Sequence, residues 1–129
     1  MKHYVCSLCG NLVAMVNDSG RRLGCCAKSM DEVTPNSTDA SKEKHTPIVK
    51  EEPGRVTVTV GTGDNIHPMT AEHGISWVCL ITTDGSQRKM LIPGTKPEVV
   101  FHVGRGERVI KAFAYCNLHG LWMWQSAEK

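Results

Sequence analysis

The stretch Arg55-Val-Thr-Val-Thr-Val60 decides the fold of this chain. Its valines alternate with polar residues, which is the pattern of a β-strand that buries one face. Further stretches rich in strand-forming residues follow it, and they are Ile75–Ile81, Lys89–Ile92, Glu98–Val103, Arg108–Tyr115 and Leu121–Trp124. Turn signals such as Asp84-Gly85 and Pro93-Gly94 separate these stretches, and none has a convincing helical period. The pattern predicts an all-β domain, an antiparallel sandwich.

The sequence before this region has a different character. Residues 1–30 hold four cysteines, a short apolar stretch at Asn11–Val16 and a turn signal at Asn17–Gly20. A segment this short cannot bury a sufficient core, so it needs a staple such as a metal ion. Residues 31–54 are polar, contain prolines and have no long apolar stretch, which predicts a linker and loops.

Composition limits the classes of protein that this chain belongs to. It has 129 residues, 40% hydrophobic and 22% charged, as in a soluble globular protein. The net charge of +2 is too small to argue for nucleic acid or a membrane surface as partner. No apolar run approaches the ~18 residues of a membrane span, and the polar start lacks a signal peptide. We therefore predict a cytoplasmic protein, in which six cysteines indicate metal binding or redox chemistry.

The first candidate metal site combines Cys6-x-x-Cys9 with the adjacent pair Cys25-Cys26. The first motif lets two thiolates bind one metal from a single turn, and Gly10 helps the backbone to fold around the sulfurs. A site of four thiolates suits either zinc or iron. Adjacent cysteines cannot form a second Cys-x-x-Cys knuckle, so the sulfur–metal–sulfur angle should be strained. This pairing resembles the single-iron FeS4 site of desulforedoxin, and the resemblance favours iron.

The second candidate site collects histidines from several predicted loops and strand ends. It consists of four fragments, which are Glu43-Lys44-His45-Thr46-Pro47, His67-Pro68-Met69, Glu72-His73 and Tyr115-Cys116-Asn117-Leu118-His119-Gly120. A rigid sandwich can aim loop residues at one point. Taken singly, each histidine is more typical of a surface or hydrogen-bonded residue. Cys116-x-x-His119 is the stronger signal, because it offers sulfur and nitrogen together at the end of a strand. The residues alone predict a mixed nitrogen and sulfur metal site.

Together these fragments resemble the desulfoferrodoxin family, the two-iron superoxide reductases. The resemblance covers nearly the whole chain, from the N-terminal cysteines to the closing C-N-L-H-G. It implies a desulforedoxin-like FeS4 module over residues 1–36 and an immunoglobulin-like β-sandwich over residues 37–129. It also implies a second iron with four equatorial imidazoles and an axial thiolate. The residues that would bind this second iron are His45, His67, His73, His119 and Cys116.

The resemblance implies an activity as well, the one-electron reduction of superoxide to hydrogen peroxide. An iron with four imidazoles keeps one axial position open opposite the Cys116 thiolate, which donates electron density. By the same resemblance, Lys44 attracts the superoxide anion and Glu43 caps the ferric iron. Without the motif, both would be taken as solvated loop charges. A rubredoxin-type electron donor and a homodimer follow from the resemblance too.

Two other functions fit part of the pattern. Cys116-x2-His119-x3-Met123 with one upstream histidine is typical of a blue-copper electron carrier. That function leaves two of the remaining histidines and the four N-terminal cysteines unexplained. A structural zinc module joined to a binding sandwich is the second alternative, and it predicts a colourless protein. Whether the first metal relays electrons or only stabilises its module stays open.

Several conspicuous residues are not assigned to a site. His3 is expected at a mobile terminus. His102 is expected to point to solvent, and Cys79 is interpreted as a small strand residue. Trp122 and Trp124 share one face of a predicted strand and are expected in the core or in the walls of the site.

Overall fold

The structure is a computed structural model that describes residues 1–37 and 42–127, without the side chain of Glu43. The chain divides into two compact units, Met1–Thr34 and Pro35–Lys129. Within the described residues, no helix combines the length and the apolar character that crossing a membrane requires.

The N-terminal unit is built from very short strands. They are β1 (His3–Val5), β2 (Leu12–Ala14), β3 (Gly24–Cys25), β4 (Lys28–Ser29) and β5 (Asp31–Glu32). One antiparallel sheet has the order β2-β1-β5, and β3 pairs with β4 in a separate hairpin. His3 lies in the central strand and is only 1% exposed, so the expectation of a mobile terminus there is wrong.

The second unit is a two-sheet antiparallel sandwich with one short helix. Its elements are α1 (Lys42–His45), β6 (Pro47–Glu52), β7 (Arg55–Thr62), β8 (Asn65–Ile66), β9 (Ile75–Thr82), β10 (Gly85–Met90), β11 (Glu98–His102), β12 (Val109–Cys116) and β13 (Gly120–Gln125). One sheet has the order β10-β9-β12-β13, and the other has the order β11-β7-β6 with β8 attached to β7. The prediction of an all-β antiparallel fold is confirmed.

The alternating valines of β7 form the centre of the core. Val56, Val58 and Val60 are at most 1% exposed, whereas Thr57 and Thr59 between them are half-buried. Buried side chains from both sheets belong to the same cluster, among them Val78, Leu80, Phe101, Ala112, Ala114 and Trp122. Burial of each larger apolar side chain contributes about 1.5–3 kcal/mol, so this cluster gives the ligand-bearing loops a rigid base.

Two edge strands depart from the sequence-based expectation. Strand β6 lies inside the segment 31–54 that the composition assigns to a linker. Strand β10 covers Gly85–Met90 rather than Lys89–Ile92. Among the residues that the structure describes, each of these strands pairs with one neighbouring strand and forms the edge of its sheet. Its exposed positions carry charged residues, and β6 begins at Pro47. Edge strands tolerate charge and a first-position proline, which hides them from a hydrophobic pattern.

Candidate metal centres

Four sulfur atoms converge in the N-terminal unit. The Sγ atoms of this group lie within 4.8 Å of one another and belong to Cys6, Cys9, Cys25 and Cys26. The shortest recorded sulfur–sulfur separation is 3.6 Å, between Cys9 and Cys25, and all four thiols are free. This separation is far above the ~2.05 Å of a disulfide bond. The donor set instead fits a tetrahedral S4 metal site.

Two tight turns bring these sulfurs together. After β1, the backbone N–H of Cys9 donates to Cys6 Sγ at 3.5 Å, and Gly10 takes a φ of +81°. In the β3–β4 hairpin, the two turn residues Cys26 and Ala27 have φ of +55° and +59°. Positive φ at both central residues is the requirement of a type I′ hairpin turn. The adjacent pair of cysteines therefore lies at this hairpin turn, with Cys25 at the end of β3 and Cys26 in the turn itself.

The electrostatics of the four sulfurs favour a bound cation. Backbone N–H groups of Cys9 and Leu8 lower the pKa of Cys6 to about 6, because they donate to its sulfur. Interactions with the Cys9 and Cys25 thiols raise the pKa of Cys26 to about 12. The thiolate of Cys6 forms readily, whereas the neighbouring thiols raise the pKa of Cys25 and Cys26 and oppose further negative charge there. A metal ion removes this opposition, because it balances the accumulated negative charge.

The second group of donors converges at one end of the sandwich. The ligand atoms of this group lie within 4.8 Å of one another and belong to His45, His73, Cys116 and His119. His45 Nε2 lies 3.0 Å from His119 Nδ1, and Cys116 Sγ lies 3.8 Å from the same His119 atom. Cys116 is completely buried. Its sulfur also accepts the backbone N–H of His119 at 3.4 Å, which stabilises a thiolate.

His67 supplies a fourth imidazole beside this group. Its ring centroid lies 4.6 Å from that of His45 and 4.7 Å from that of His73. His67 Nδ1 lies 2.7 Å from the carbonyl oxygen of Pro68. A carbonyl only accepts, so Nδ1 carries the proton and the lone pair lies on Nε2. That Nε2 is buried and has no hydrogen-bond partner in the described part of the chain, as expected for a metal ligand.

Gly61 lets the His67 backbone approach strand β7 closely. It has a φ of +95°, and a Cβ at this position would stand 2.8 Å from the His67 backbone nitrogen. The His67 N–H donates to the carbonyl oxygen of Val60 at 3.2 Å. A side chain at position 61 would push the His67 segment away from the site.

Trp122 of strand β13 supports two of the imidazoles at once. Its ring stacks on His45 with centroids 4.8 Å apart and planes inclined by 25°. Its Nε1–H donates to the carbonyl oxygen of His119 at 3.2 Å. The side chain is 1% exposed and belongs to the core cluster, so it is both core and site wall.

Burial keeps two of the imidazoles, those of His67 and His73, neutral and able to bind a metal. Loss of solvent, with smaller contributions from the neighbouring histidines, lowers the pKa of His67 to about 4. The pKa of His73 is lowered by burial, by His119 and by the charge of Lys44. Neutral imidazole is the form that binds metals, so both rings are ready ligands at neutral pH.

The other singled-out residues lie as follows. Lys44 is exposed in α1, directly before His45, and the side chain of Glu43 lies outside the described residues. His102 is exposed on β11, as predicted. Cys79 is 1% exposed in β9, and burial raises the pKa of its thiol, in agreement with a structural strand residue.

The copper alternative gains no support from strand β13. Trp122 faces the histidines, so the next residue, Met123, points to the opposite face of the sheet. The backbone N–H of Met123 is bonded to Asn36 instead. An axial methionine for a copper site is therefore not placed near Cys116.

Sequence reasoning did not single out two asparagines beside the ligands. Asn11 Nδ2 donates to Cys25 Sγ at 3.6 Å. Asn117 lies between Cys116 and His119 and bonds to the loop that carries His73. Both asparagines follow a ligand within a turn, where a short amide side chain reaches nearby backbone or sulfur.

Comparison with known proteins agrees with the two donor sets. Residues 37–125 match the family model described as Desulfoferrodoxin. The desulfoferrodoxin of Syntrophotalea carbinolica is 41% identical over 92% of this chain and 91% of its own length. The chain belongs to the desulfoferrodoxin family. The four-cysteine group and the group of histidines with Cys116 match the two-iron pattern of desulfoferrodoxins.

Solved structures extend the comparison. The superoxide reductase of Treponema pallidum aligns with a TM-score of 0.77 and 39% identity, covering 92% of this desulfoferrodoxin-family chain and 95% of its own. A one-iron superoxide reductase of Giardia intestinalis aligns with a TM-score of 0.54 and 32% identity. It covers 66% of this chain and 98% of its own. The chain is thus longer than the one-iron protein and comparable in length with the Treponema protein.

Proposed function

We propose that this chain is a superoxide reductase, which reduces superoxide to hydrogen peroxide at the histidine and cysteine site of the sandwich. The observation that carries the proposal is the convergence of three imidazoles with the buried sulfur of Cys116, and the ring of His67 packs against two of these imidazoles. Each turnover adds one electron and two protons to superoxide and releases hydrogen peroxide. The relatives named superoxide reductase, such as those of Treponema pallidum and Giardia intestinalis, support the same activity.

The proposed iron ligands are His45, His67, His73, His119 and Cys116. An iron ion held by these residues would supply one-electron redox chemistry. The protein keeps His67 and His73 neutral by burial, which lowers the pKa of both imidazoles. It keeps the sulfur of Cys116 away from solvent and supplies it with a hydrogen bond from the backbone N–H of His119. External reduction, by a rubredoxin-type donor, completes the cycle.

Lys44 and Glu43 are the proposed residues for handling the substrate. Lys44 is exposed beside His45, and its charge lowers the pKa of His73, so its electric field reaches the site. A cation in this position raises the encounter rate of an anion such as superoxide. Glu43 precedes Lys44 in α1, and we assign it the capping of ferric iron after turnover. Glu43→Ala is expected to change the ferric spectrum more than the rate of the first reaction.

The remaining proposals concern the N-terminal unit and the assembly. We assign residues 1–36 to a desulforedoxin-like FeS4 module and residues 37–129 to the catalytic domain. The four free thiols of the first group support iron binding there. A cytoplasmic homodimer that protects the cell from superoxide is the setting we propose, with the FeS4 centre either relaying electrons or stabilising its module.

Product stoichiometry tests the proposed activity. The iron-loaded protein, with a rubredoxin and its reductase, receives a steady flux of superoxide, and hydrogen peroxide is measured. A reductase yields one peroxide per superoxide and consumes reductant, whereas dismutation yields one peroxide per two superoxides and releases oxygen. A yield that stays at the dismutation ratio contradicts the proposal. Metal analysis of the protein as purified, before any iron is added, separates two irons per chain from one copper or from a colourless zinc protein.

A further inference from the structure

The turn that carries Cys116 and His119 also carries a side chain that grips the loop of His73. Residues 117–119 connect β12 to β13, and Cys116 pairs with Gly120 across the hairpin. Gly120 has a φ of +80°. A three-residue hairpin loop that closes on a left-handed glycine is a well-defined geometry. Asn117 is the first residue of this loop, so its position relative to the Cys116 and His119 backbone is fixed.

The amide of Asn117 holds both peptide groups that flank His73. Asn117 Nδ2 donates to the carbonyl oxygen of Glu72 at 3.0 Å, and the N–H of Gly74 donates to Asn117 Oδ1 at 2.9 Å. The backbone N–H of Asn117 donates to the carbonyl oxygen of Gly74 at 3.2 Å. Three hydrogen bonds thus join the His73 loop to the hairpin turn, and two of them need the side chain.

Regular strand pairing does not hold the His73 loop against the turn that carries Cys116 and His119. Cys116 pairs with Ile75 at the start of β9, but the pairing of β12 and β9 is irregular between Tyr115 and Cys116. His73 lies beyond the end of that pairing, in the loop between β8 and β9. Within the loop, Thr70 Oγ1 accepts the N–H of His73 at 3.0 Å. This bond shapes the loop but does not tie it to Cys116 or His119.

We propose that Asn117 is a positioning residue for the metal site, which sets the place of His73 relative to Cys116 and His119 by holding the peptides on either side of His73. This inference rests on the proposed function for the identity of the metal. Outer partners that orient ligands contribute about 10–100-fold to metal affinity. Asn117 acts through the ligand backbone rather than through the ring, so its loss frees the whole His73 segment.

The chain offers a matched control in Asn36. Its amide also grips one residue from both sides, donating to the carbonyl oxygen of Met123 at 3.2 Å and accepting the Met123 N–H at 2.9 Å. Met123 lies in β13, which contains none of the proposed ligands. Asn36 has a φ of +60°, so glycine removes its two side-chain bonds without adding strain. Asn117 does not have a positive φ, so alanine is a suitable substitution at that position.

The experiment measures metal release rather than turnover. Iron-loaded wild type, Asn117→Ala and Asn36→Gly are mixed with a coloured Fe(II) chelator, and iron loss from the histidine site is followed over time. The ferric visible and EPR spectra are recorded in parallel. We expect Asn117→Ala to release this iron about 10–100-fold faster, with a shifted ferric spectrum, while the FeS4 centre stays unchanged. Asn36→Gly is expected to match wild type in both measurements.

Asn117→Asp separates the effects of the two side-chain hydrogen bonds that Asn117 makes with Glu72 and Gly74. The aspartate still accepts the Gly74 N–H but no longer donates to Glu72, so its release rate should fall between those of wild type and Asn117→Ala. Release within twofold of wild type for Asn117→Ala, or equal acceleration by Asn36→Gly, overturns the proposal. Should Asn117→Ala fail to fold, unchanged release from Asn117→Asp overturns it. Normal release behaviour in a protein that forms no peroxide contradicts the proposed activity alone.

Discussion

The two donor groups differ in how the chain assembles them. The thiols of the N-terminal group come from two short turns separated by little sequence, and Cys9 and Cys26 are exposed. The histidine and cysteine group draws on segments from His45 to His119, and its sulfur is fully buried. Local turns suffice for the first site, whereas the second depends on the register of a whole sandwich. The first should therefore depend on its metal for structure, and the second should not.

Removing the first metal tests this difference most strongly. In the double variant Cys25→Ser and Cys26→Ser, we expect complete loss of the FeS4 absorption and unfolding of the N-terminal unit, because such small units need their metal. The histidine site should retain its iron and its rate with superoxide within about twofold, as its ligands rest on a separate core. Metal analysis, circular dichroism and pulse radiolysis measure the three quantities. Parallel loss of both irons would show that the two sites are not independent.

Removal of Trp122 tests the dependence of the second site on the core. Trp122→Ala should lower the free energy of unfolding of the sandwich by about 3–5 kcal/mol, because the side chain is fully buried. It should also weaken iron binding, since the ring stacks on His45. Denaturant unfolding and chelator competition provide the two readings. Trp124→Ala, at a partly buried neighbour on the same face, is the control and should affect stability far more than iron retention.

Neutralising Lys44 tests whether the sandwich site uses an exposed charge. Lys44→Ala should slow the reaction with superoxide by about two- to tenfold at low salt and flatten its dependence on ionic strength. Lys50→Ala, an exposed lysine of β6, is the control. Pulse radiolysis across a salt series gives both slopes. Equal slopes for Lys44→Ala and wild type would remove Lys44 from the substrate path.

Replacement of Ala27 by glycine tests how far the first site depends on the geometry of the β3–β4 turn. Ala27 is exposed and has a φ of +59°, which costs about 1–2 kcal/mol for a residue with a Cβ. Ala27→Gly should therefore stabilise the metal-loaded N-terminal unit by about 1 kcal/mol, less the entropy that glycine adds to the unfolded chain. Slower loss of the FeS4 absorption in denaturant is the expected result. Faster loss would mean that the turn is not strained.

The smallest effect is expected at the end of the sandwich away from the histidines. Glu107 accepts hydrogen bonds from Thr82 Oγ1 and from the N–H of Gly104, and these lower the pKa of its carboxyl group. A lowered pKa in the folded state adds stability above the unfolded pKa of about 4.3, and this stability is lost as pH falls through the folded pKa. Glu107→Gln should thus be less stable than wild type at pH 7. Denaturation curves at several pH values should show the difference shrinking in acid, with unchanged iron retention at pH 7.

The sequence predicts the second unit well where its strands alternate. The valines of β7 and the apolar run of β9 identify buried strands, because their side chains record which face meets the core. The hydrophobic pattern does not reveal edge strand β6, because its exposed positions carry lysine and glutamate instead of apolar residues. The sequence does not predict most strands of the N-terminal unit, because two or three residues are too few to show a periodic pattern.

The site is predictable in its donors but not in its supports. Cysteine and histidine are recognisable as candidate metal donors by their chemistry, and the motifs around Cys116 and His119 are typical of the family. Asn117 and Trp122 act through hydrogen bonds and ring stacking that exist only once distant segments meet. Asparagine has many ordinary roles in turns, so one sequence gives no reason to select Asn117. The predicted strand places Trp122 in the core or in the site wall, but it does not show which ring Trp122 supports.

The order of the donors along the chain also has a consequence for synthesis on the ribosome. The four thiols are complete once Cys26 has been made, whereas the sandwich site lacks its last two donors until Cys116 and His119 emerge. Translation at ~5–20 residues per second separates these events by roughly 5–20 s. During that interval the nascent chain contains all four thiols of the first site, whereas the histidine and cysteine site is still incomplete. The donors of the first site are therefore available to a metal ion before those of the second site are complete.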